Sequence, residues 1–271
     1  MCCILFVKLV SQTGNIILKT FTSFAVMKDN FSAQAKMYAN FRPSYPQAVF
    51  DFIFQQAQGF DTALDCATGN GQAATILATR FTQVYATDIS EKQLAQAPSL
   101  PNIIYKVEPA EQTSFANNSF DLITVAQAIH WFNFDAFYAE VKRLLKPNGV
   151  IAVIGYGLLR VNAAVDKWLD NYYWNIVGPY WDKERRYIDE AYQTIPFPFE
   201  EIPAPQLFIE YRWNKAQFVG YLHTWSALQH YMKANNASPL SDELLAALDE
   251  VWKDDEELLV QFPLFLRVGK V

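Results

Sequence analysis

Apolar residues recur along the chain with two periods. After Pro46, the positions Val49, Phe50, Ile53, Phe54 and Ala57 follow helical spacing, which predicts a helix over about residues 46–57 with proline in its first turn. Short runs rich in β-branched and aliphatic residues follow at 62–64, 83–86, 103–107, 122–126 and 150–155, each bounded by Gly, Pro, Asn or Asp, and they read as strands. Helical patterns lie between them. The clearest places Phe137, Val141, Leu144 and Leu145 at i, i+4, i+7 and i+8. Such alternation of strand and helix implies a parallel, doubly wound α/β sheet.

The rhythm changes after Gly157. Residues 160–200 are aromatic-rich and read as helical, including "VDKWLDNYYWNIVGPYW", and end in "IPFPFEEIPAP". This segment is either a cap over the sheet or a packing insert. Next come a strand at "LFIEYRW", one or two helices in "NKAQFVGYLHTWSALQHYM", a helix at "LSDELLAALDEVW" with Ser241 as N-cap, and a final strand at "FPLFLRVGKV".

Composition narrows the class. With 271 residues, 51% hydrophobic and only 18% charged, the chain is globular nearly throughout and is enzyme-sized. A net charge of −6 and the lack of any basic run argue against a nucleic-acid partner. Cys2, Cys3 and Cys66 form neither a metal-binding pair nor a disulfide framework, and three dispersed histidines supply no metal site, so a cytoplasmic setting without metal is expected. The apolar opening "MCCILFVKLV" is too short for a membrane span and lacks the charge order of a signal peptide. Residues 1–26 read as an upstream extension, with Met27 as a natural start and residues 27–271 as a single domain.

The candidate chemistry centres on "TALDCATGNGQAA". Gly69, Gly71 and Ala74 match G-x-G-x-x-G/A, and Asp88 lies 19 residues after Gly69, which taken alone fits a dinucleotide loop. The register differs, because Asp65, Cys66, Ala67 and Thr68 separate the strand from the first glycine. An acid at the strand end repels a pyrophosphate and attracts a cation such as a sulfonium.

"LDCATGNG" resembles motif I of class I S-adenosylmethionine-dependent methyltransferases, with Ala67 in place of the first glycine, and "YATDIS" resembles their motif II. "EPAEQTSFANNSFDLITVAQAIHWF" is similar to the family's adenine-flanking stretch and fourth strand, and "LLKPNGVIAV" to the turn into the fifth. "YANFRPSYP", "AQAIHWF" and "TWSALQHY" resemble the methyltransferase type 11 branch that holds trans-aconitate-type and related small-molecule enzymes. The resemblance implies a Rossmann-like seven-stranded sheet with its last strand antiparallel and a mostly helical aromatic cap inserted at about 160–205. It also implies S-adenosyl-L-methionine as cofactor. By the same analogy Ala67, Gly69 and Gly71 let the backbone approach the methionine half, Asp65 sits near its amino group, and Asp88 takes the ribose hydroxyls. Ile89 then packs on adenine, Ala110 and Glu111 flank its edge, and Ala126 and Gln127 complete the site. Tyr38 and Arg42 belong to a strap that closes over the cofactor; each also reads as plain surface.

Catalytic groups in open α/β sheets gather beyond the carboxyl ends of the strands, where His130 and Trp131 follow the fourth. His130 suits a general base for a hydroxyl acceptor, whereas a carboxylate acceptor needs none. The pair reads equally as packed aromatics. Tyr45, Trp131 and Trp225 are candidate substrate contacts; His223 and Trp225 also read as core, and His230 as structural. Arg160, Arg185 and Arg186 lie in or beside the cap, and any that points inward pairs with an acceptor carboxylate.

The reading is a methyltransferase acting on an oxygen, carboxylate favoured, of a small organic metabolite, as a monomer or homodimer without nucleic-acid or membrane partners. A nicotinamide-dependent oxidoreductase and a noncatalytic cofactor-binding module are the alternatives. Removal of residues 1–26 is expected to leave turnover intact, as measured by S-adenosylhomocysteine release; an inactive truncated enzyme contradicts it.

Overall fold

The computed structural model describes residues 43–271. Tyr38, Arg42 and the expected extension over residues 1–26 lie outside them.

Five parallel strands form the sheet's first part: β1 (Thr62–Cys66), β2 (Gln83–Asp88), β3 (Ile103–Val107), β4 (Phe120–Ala126) and β5 (Leu145–Tyr156). Three more follow, β6 (Glu200–Ile202), β7 (Phe208–Trp213) and β8 (Leu258–Lys270), and the order is β3-β2-β1-β4-β5-β8-β6, with β7 also on β8. The α/β doubly wound class holds, with an antiparallel C-terminal strand. The sheet has eight strands where seven were expected. The extra pairing arises because β8 is 13 residues long. Its second half pairs β5 on one side and β6 on the other, while its first half reaches past them to pair β7.

Side chains alternate between two cores, as a strand period of two requires. Ala63, Leu122, Val150 and Ala152 enter one, whereas Leu64, Ile123, Ile151 and Val153 enter the other. Helix α1 (Gln47–Gln56) buries Val49, Phe50, Ile53 and Phe54 in the first core. The short α2 (Gln72–Leu77) and α3 (Glu91–Leu94) follow β1 and β2. Helix α4 (Phe134–Leu144) buries Phe137, Val141 and Leu144 in the second core and is capped by Asn133, whose side chain accepts from the Ala136 N–H. At the opposite end from the site, Asp121 accepts from the Asp61 and Thr62 N–H groups and pairs with Lys146 at 2.9 Å, which joins the starts of β1, β4 and β5.

Between β5 and β6 the chain is helical, with α5 (Ala163–Asp170), a π-helical turn at Asn171–Ile176 and α6 (Arg185–Asp189). Helices α7 (Lys215–Leu222), α8 (Ser226–Asn235) and α9 (Asp242–Val251) follow β7, and Ser241 caps α9 by accepting from the Leu244 N–H. Ring packing joins these segments: Trp168 stacks on Tyr172 at 5.5 Å, and Trp225 meets Tyr172, Tyr173 and Trp181 within 6 Å. Contacts of this size contribute about 0.5–1.5 kcal/mol each beyond burial. The aromatic run therefore closes on the second helical segment rather than on solvent.

Candidate active site

The loop after β1 turns through left-handed backbone at alternate residues, with φ of 52° at Ala67, 57° at Gly69 and 83° at Gly71. Ala67 adopts this conformation despite its Cβ, at a cost of roughly 1–2 kcal/mol. At Gly71 there is a second reason for glycine, since a Cβ there would stand 2.8 Å from the Tyr105 hydroxyl.

Asp65 holds this loop from below. One carboxylate oxygen accepts from the Thr68 hydroxyl at 2.5 Å and the Ala74 N–H at 3.0 Å; the other accepts from the Thr124 hydroxyl at 2.7 Å. The group is fully buried, and loss of hydration, partly offset by these three bonds, pushes its pKa up to about 6. Asp65 lies beneath the cavity rather than on its wall, and its bonds organise the loop that lines it.

That cavity, about 190 Å³, opens beyond the carboxyl ends of β1, β2 and β4, beside the point where the strand order reverses. Asp88 and the 40%-exposed Ile89 stand side by side on its wall. One Asp88 oxygen accepts from the Gly69 N–H and the other from the Ser90 N–H, each at 2.8 Å, so the carboxylate is oriented before any ligand arrives. Ala67, Gly69, Ala110, Ala126, Gln127 and Tyr45 also line the cavity. Gly71 and Glu111 do not. Glu111 accepts from the Asn133 N–H at the start of α4, and Glu108 takes the wall position instead. Glu108, Ser90, Gln93 and Tyr156 were not picked out from the sequence; only Glu108, an acid just past a strand, carried a readable signal.

The charged residues on this wall are Asp88 and Glu108, with no Lys or Arg among the described lining residues. An acid-lined cavity suits a sulfonium with an amino group and a ribose, and it disfavours a pyrophosphate. The apolar Ile89 beside the oriented Asp88 fits a nucleoside. The donor set thus fits S-adenosylmethionine.

A narrower recess of about 70 Å³ adjoins the cavity, and Gln127, Trp131 and Tyr156 line both. His130, Trp181, Arg185, Tyr221 and Trp225 line only the recess. Arg185 lies over the Trp181 ring at 4.5 Å and donates through Nε to the Tyr173 hydroxyl at 2.7 Å, while Tyr173 donates to Asp189. Arg160 instead pairs with Asp170 at the surface, and Arg186 bonds Tyr187 in solvent. His223 does not line the recess, and His230 bonds the Tyr180 carbonyl. Buried His130 meets the Tyr192 hydroxyl through Nδ1 at 2.9 Å.

The described geometry agrees with the similarity to known proteins. The methyltransferase domain profile matches residues 64–153. A Dictyostelium discoideum protein described as a methyltransferase is 34% identical over 249 residues, covering 89% of this chain and 95% of its own. The chain belongs to the class I S-adenosylmethionine-dependent methyltransferases. A solved structure of an Anaeromyxobacter dehalogenans protein described as a type II methyltransferase is 41% identical, with a TM-score of 0.79 over 85% of this chain and 98% of that one. A Saccharomyces cerevisiae protein named as an S-adenosylmethionine-dependent methyltransferase is 29% identical over 132 residues, 45% of each chain. The enzyme is therefore a methyltransferase with S-adenosylmethionine as cofactor, and the nicotinamide alternative falls. No helix among the described residues is long and apolar enough to cross a membrane.

Changing Asp88 to Ala is expected to weaken cofactor binding about tenfold or more, since bonds to a charged group contribute about 1.5–3 kcal/mol. Unchanged affinity in calorimetry contradicts the ribose assignment. Asp65 generates a pH effect. Its folded pKa of about 6 exceeds the unfolded value of about 3.9, so the unfolded chain loses this proton first and stability falls as pH rises between the two. Relative to Asp65→Asn, the wild type should lose about 3 kcal/mol across that window in urea unfolding; parallel profiles refute the assignment.

Proposed function

We propose that this methyltransferase moves its methyl group to an oxygen of a small organic metabolite, with a carboxylate favoured. The observation that carries this reading is Arg185 on the wall of the recess beside the cofactor cavity. Among the described residues, its side-chain hydrogen bond to Tyr173 and its ion pair with Asp189 at 3.5 Å both engage Nε, so a carboxylate acceptor would meet the terminal nitrogens as a fork. Asp182 shares the recess wall, so the amine arm of the screen decides between an anionic and a cationic acceptor.

The bound cofactor supplies an activated methyl on a sulfonium, and transfer breaks that S–C bond while forming an O–C bond. The protein's part is placement. Asp88, fixed by the Gly69 and Ser90 amides, sets the cofactor end, while Arg185 sets the acceptor end. Trp131, Tyr156 and Gln127 stand between the two cavities, where the reacting atoms align and water is displaced. A carboxylate requires no proton removal. For a hydroxyl acceptor, His130 on the recess wall is the base. At about 10–15 Å³ per water-sized group, the recess holds roughly five such groups, which supports a small metabolite over a polymer.

The reading extends to a single methyltransferase domain over residues 27–271 with a cap at about 160–205, working in the cytoplasm as a monomer or homodimer. The buried, unpaired Cys66 accords with a reducing compartment. A screen of organic acids, phenols and amines for S-adenosylhomocysteine release tests it. Acids are expected to turn over, and Arg185→Gln is expected to raise the KM for the acid about tenfold or more while cofactor affinity stays unchanged. Turnover confined to amines, proteins or nucleic acids overturns the oxygen assignment, and no acceptor-dependent release favours a binding module.

A further inference from the structure

Ahead of α1, Pro43 and Tyr45 stand on the wall of the cofactor cavity, while Ser44 between them is exposed. Residues 43–46 belong to no helix or strand. Prolines at 43 and 46 have no N–H to give, so little backbone bonding is available to hold the stretch in place.

A residue 167 positions later supplies the hold. The Ser44 N–H donates to the Tyr211 hydroxyl oxygen at 2.8 Å, and the two hydroxyls share a second bond at 2.9 Å. Whichever hydroxyl donates in the second bond, the first already fixes the phenol oxygen against Ser44.

Tyr211 is itself aimed by the sheet. It lies within β7, opposite Val260 of β8, and shares the inward face with the buried Ile209 and Trp213, as a strand period of two requires. Its ring stacks on Trp213 at 5.3 Å, with 16° between the planes, and Trp213 packs on Phe262 at 5.7 Å. Tyr211 stands on neither cavity wall.

Phe262 closes a circuit. It meets Tyr156 at 5.6 Å, and Tyr156 meets Tyr45 at 6.3 Å. Contacts therefore run from Tyr211 through Trp213, Phe262 and Tyr156 to Tyr45, and return through Ser44. Tyr156 lines both the cofactor cavity and the recess, so the circuit sets where Tyr45 sits relative to the place where the two meet. The two bonds at Ser44 are the polar link in it, and their loss leaves the ring packing intact.

We infer that Tyr211 is a positioning residue for the cofactor: acting through Ser44, it holds Pro43 and Tyr45 in place on the cavity wall. A wall segment ordered in advance spares the ligand the cost of ordering it, so this hold raises affinity. β7 lies outside residues 64–153, the span of the methyltransferase profile, so a segment beyond that profile takes part in cofactor binding. The inference rests on this cavity being the cofactor site.

Calorimetric binding of S-adenosylhomocysteine to the full chain tests it. Tyr211→Phe keeps the ring and its stack and removes one oxygen; the exposed Ser44 amide then meets water. Its affinity is expected to fall about three- to tenfold. Ser44→Ala, which removes only the bond between hydroxyls, is expected to cost about two- to threefold alone and nothing further once Tyr211 is replaced, because the lost bond is the same. A general loosening of the fold does not produce that non-additivity, and losses that multiply overturn the inference. So does wild-type affinity in Tyr211→Phe beside a weakened Asp88→Ala. Wild-type affinity in both variants instead removes this cavity as the cofactor site, and the inference with it. Should Tyr211→Phe fail to fold, Ser44→Ala decides alone: the expected loss supports the inference and wild-type affinity overturns it.

Discussion

The buried carboxylate of Asp65 is the interaction on which the site's architecture depends. Its three bonds run to Thr68 in the loop, Ala74 in α2 and Thr124 in β4. One residue at the end of β1 thus ties together the strand beside it, the turn that follows and the helix after that. Burying a carboxylate is costly unless hydrogen bonds replace its hydration, and here all three donors come from the elements that must be aligned. The fixed loop then lends its Gly69 amide to Asp88, so order passes from the end of one strand to the end of the next.

Above this frame the two cavities differ in charge. Acidic Asp88 and Glu108 stand on the cofactor wall, whereas the recess wall carries Arg185 together with Asp182. A cofactor with positive charge meets its complement on the first wall. The aromatic residues around Arg185 serve the same division. Trp181 and Tyr173 lie against the guanidinium at 4.5 and 5.4 Å and keep its plane in place at the rim of the recess.

Strand and helix rhythm, the glycine loop and the acid at Asp88 were legible in the sequence because each depends on residues near one another in the chain. What escaped was set by distant partners. The short β6 lies in a proline-rich stretch that gives no strand signal, and it exists because β8 offers it an edge. Glu108 and Glu111 are three residues apart and chemically alike; only the path of the chain after β3 decides which faces the cavity and which caps α4. Asp65 stands out in the sequence as an acid before the glycines, but a one-dimensional reading could not show that its oxygens are engaged by Thr68, Ala74 and Thr124 inside the protein. Likewise Arg160, Arg185 and Arg186 look equivalent in sequence, and only their folded partners, Asp170 for the first, Tyr173 and Trp181 for the second and Tyr187 for the third, distinguish them.

The pairing of β8 has a consequence for folding. β8 closes against β5, with Lys270 opposite Val150, and it also supplies the edge for β6 and β7. Until β8 docks, the hydrogen-bonding edge of β5 stays open although every parallel strand precedes it in the chain. An intermediate caught there carries an unpaired, apolar template of the kind that recruits other chains, so a single antiparallel pairing stands between the sheet and edge-to-edge association.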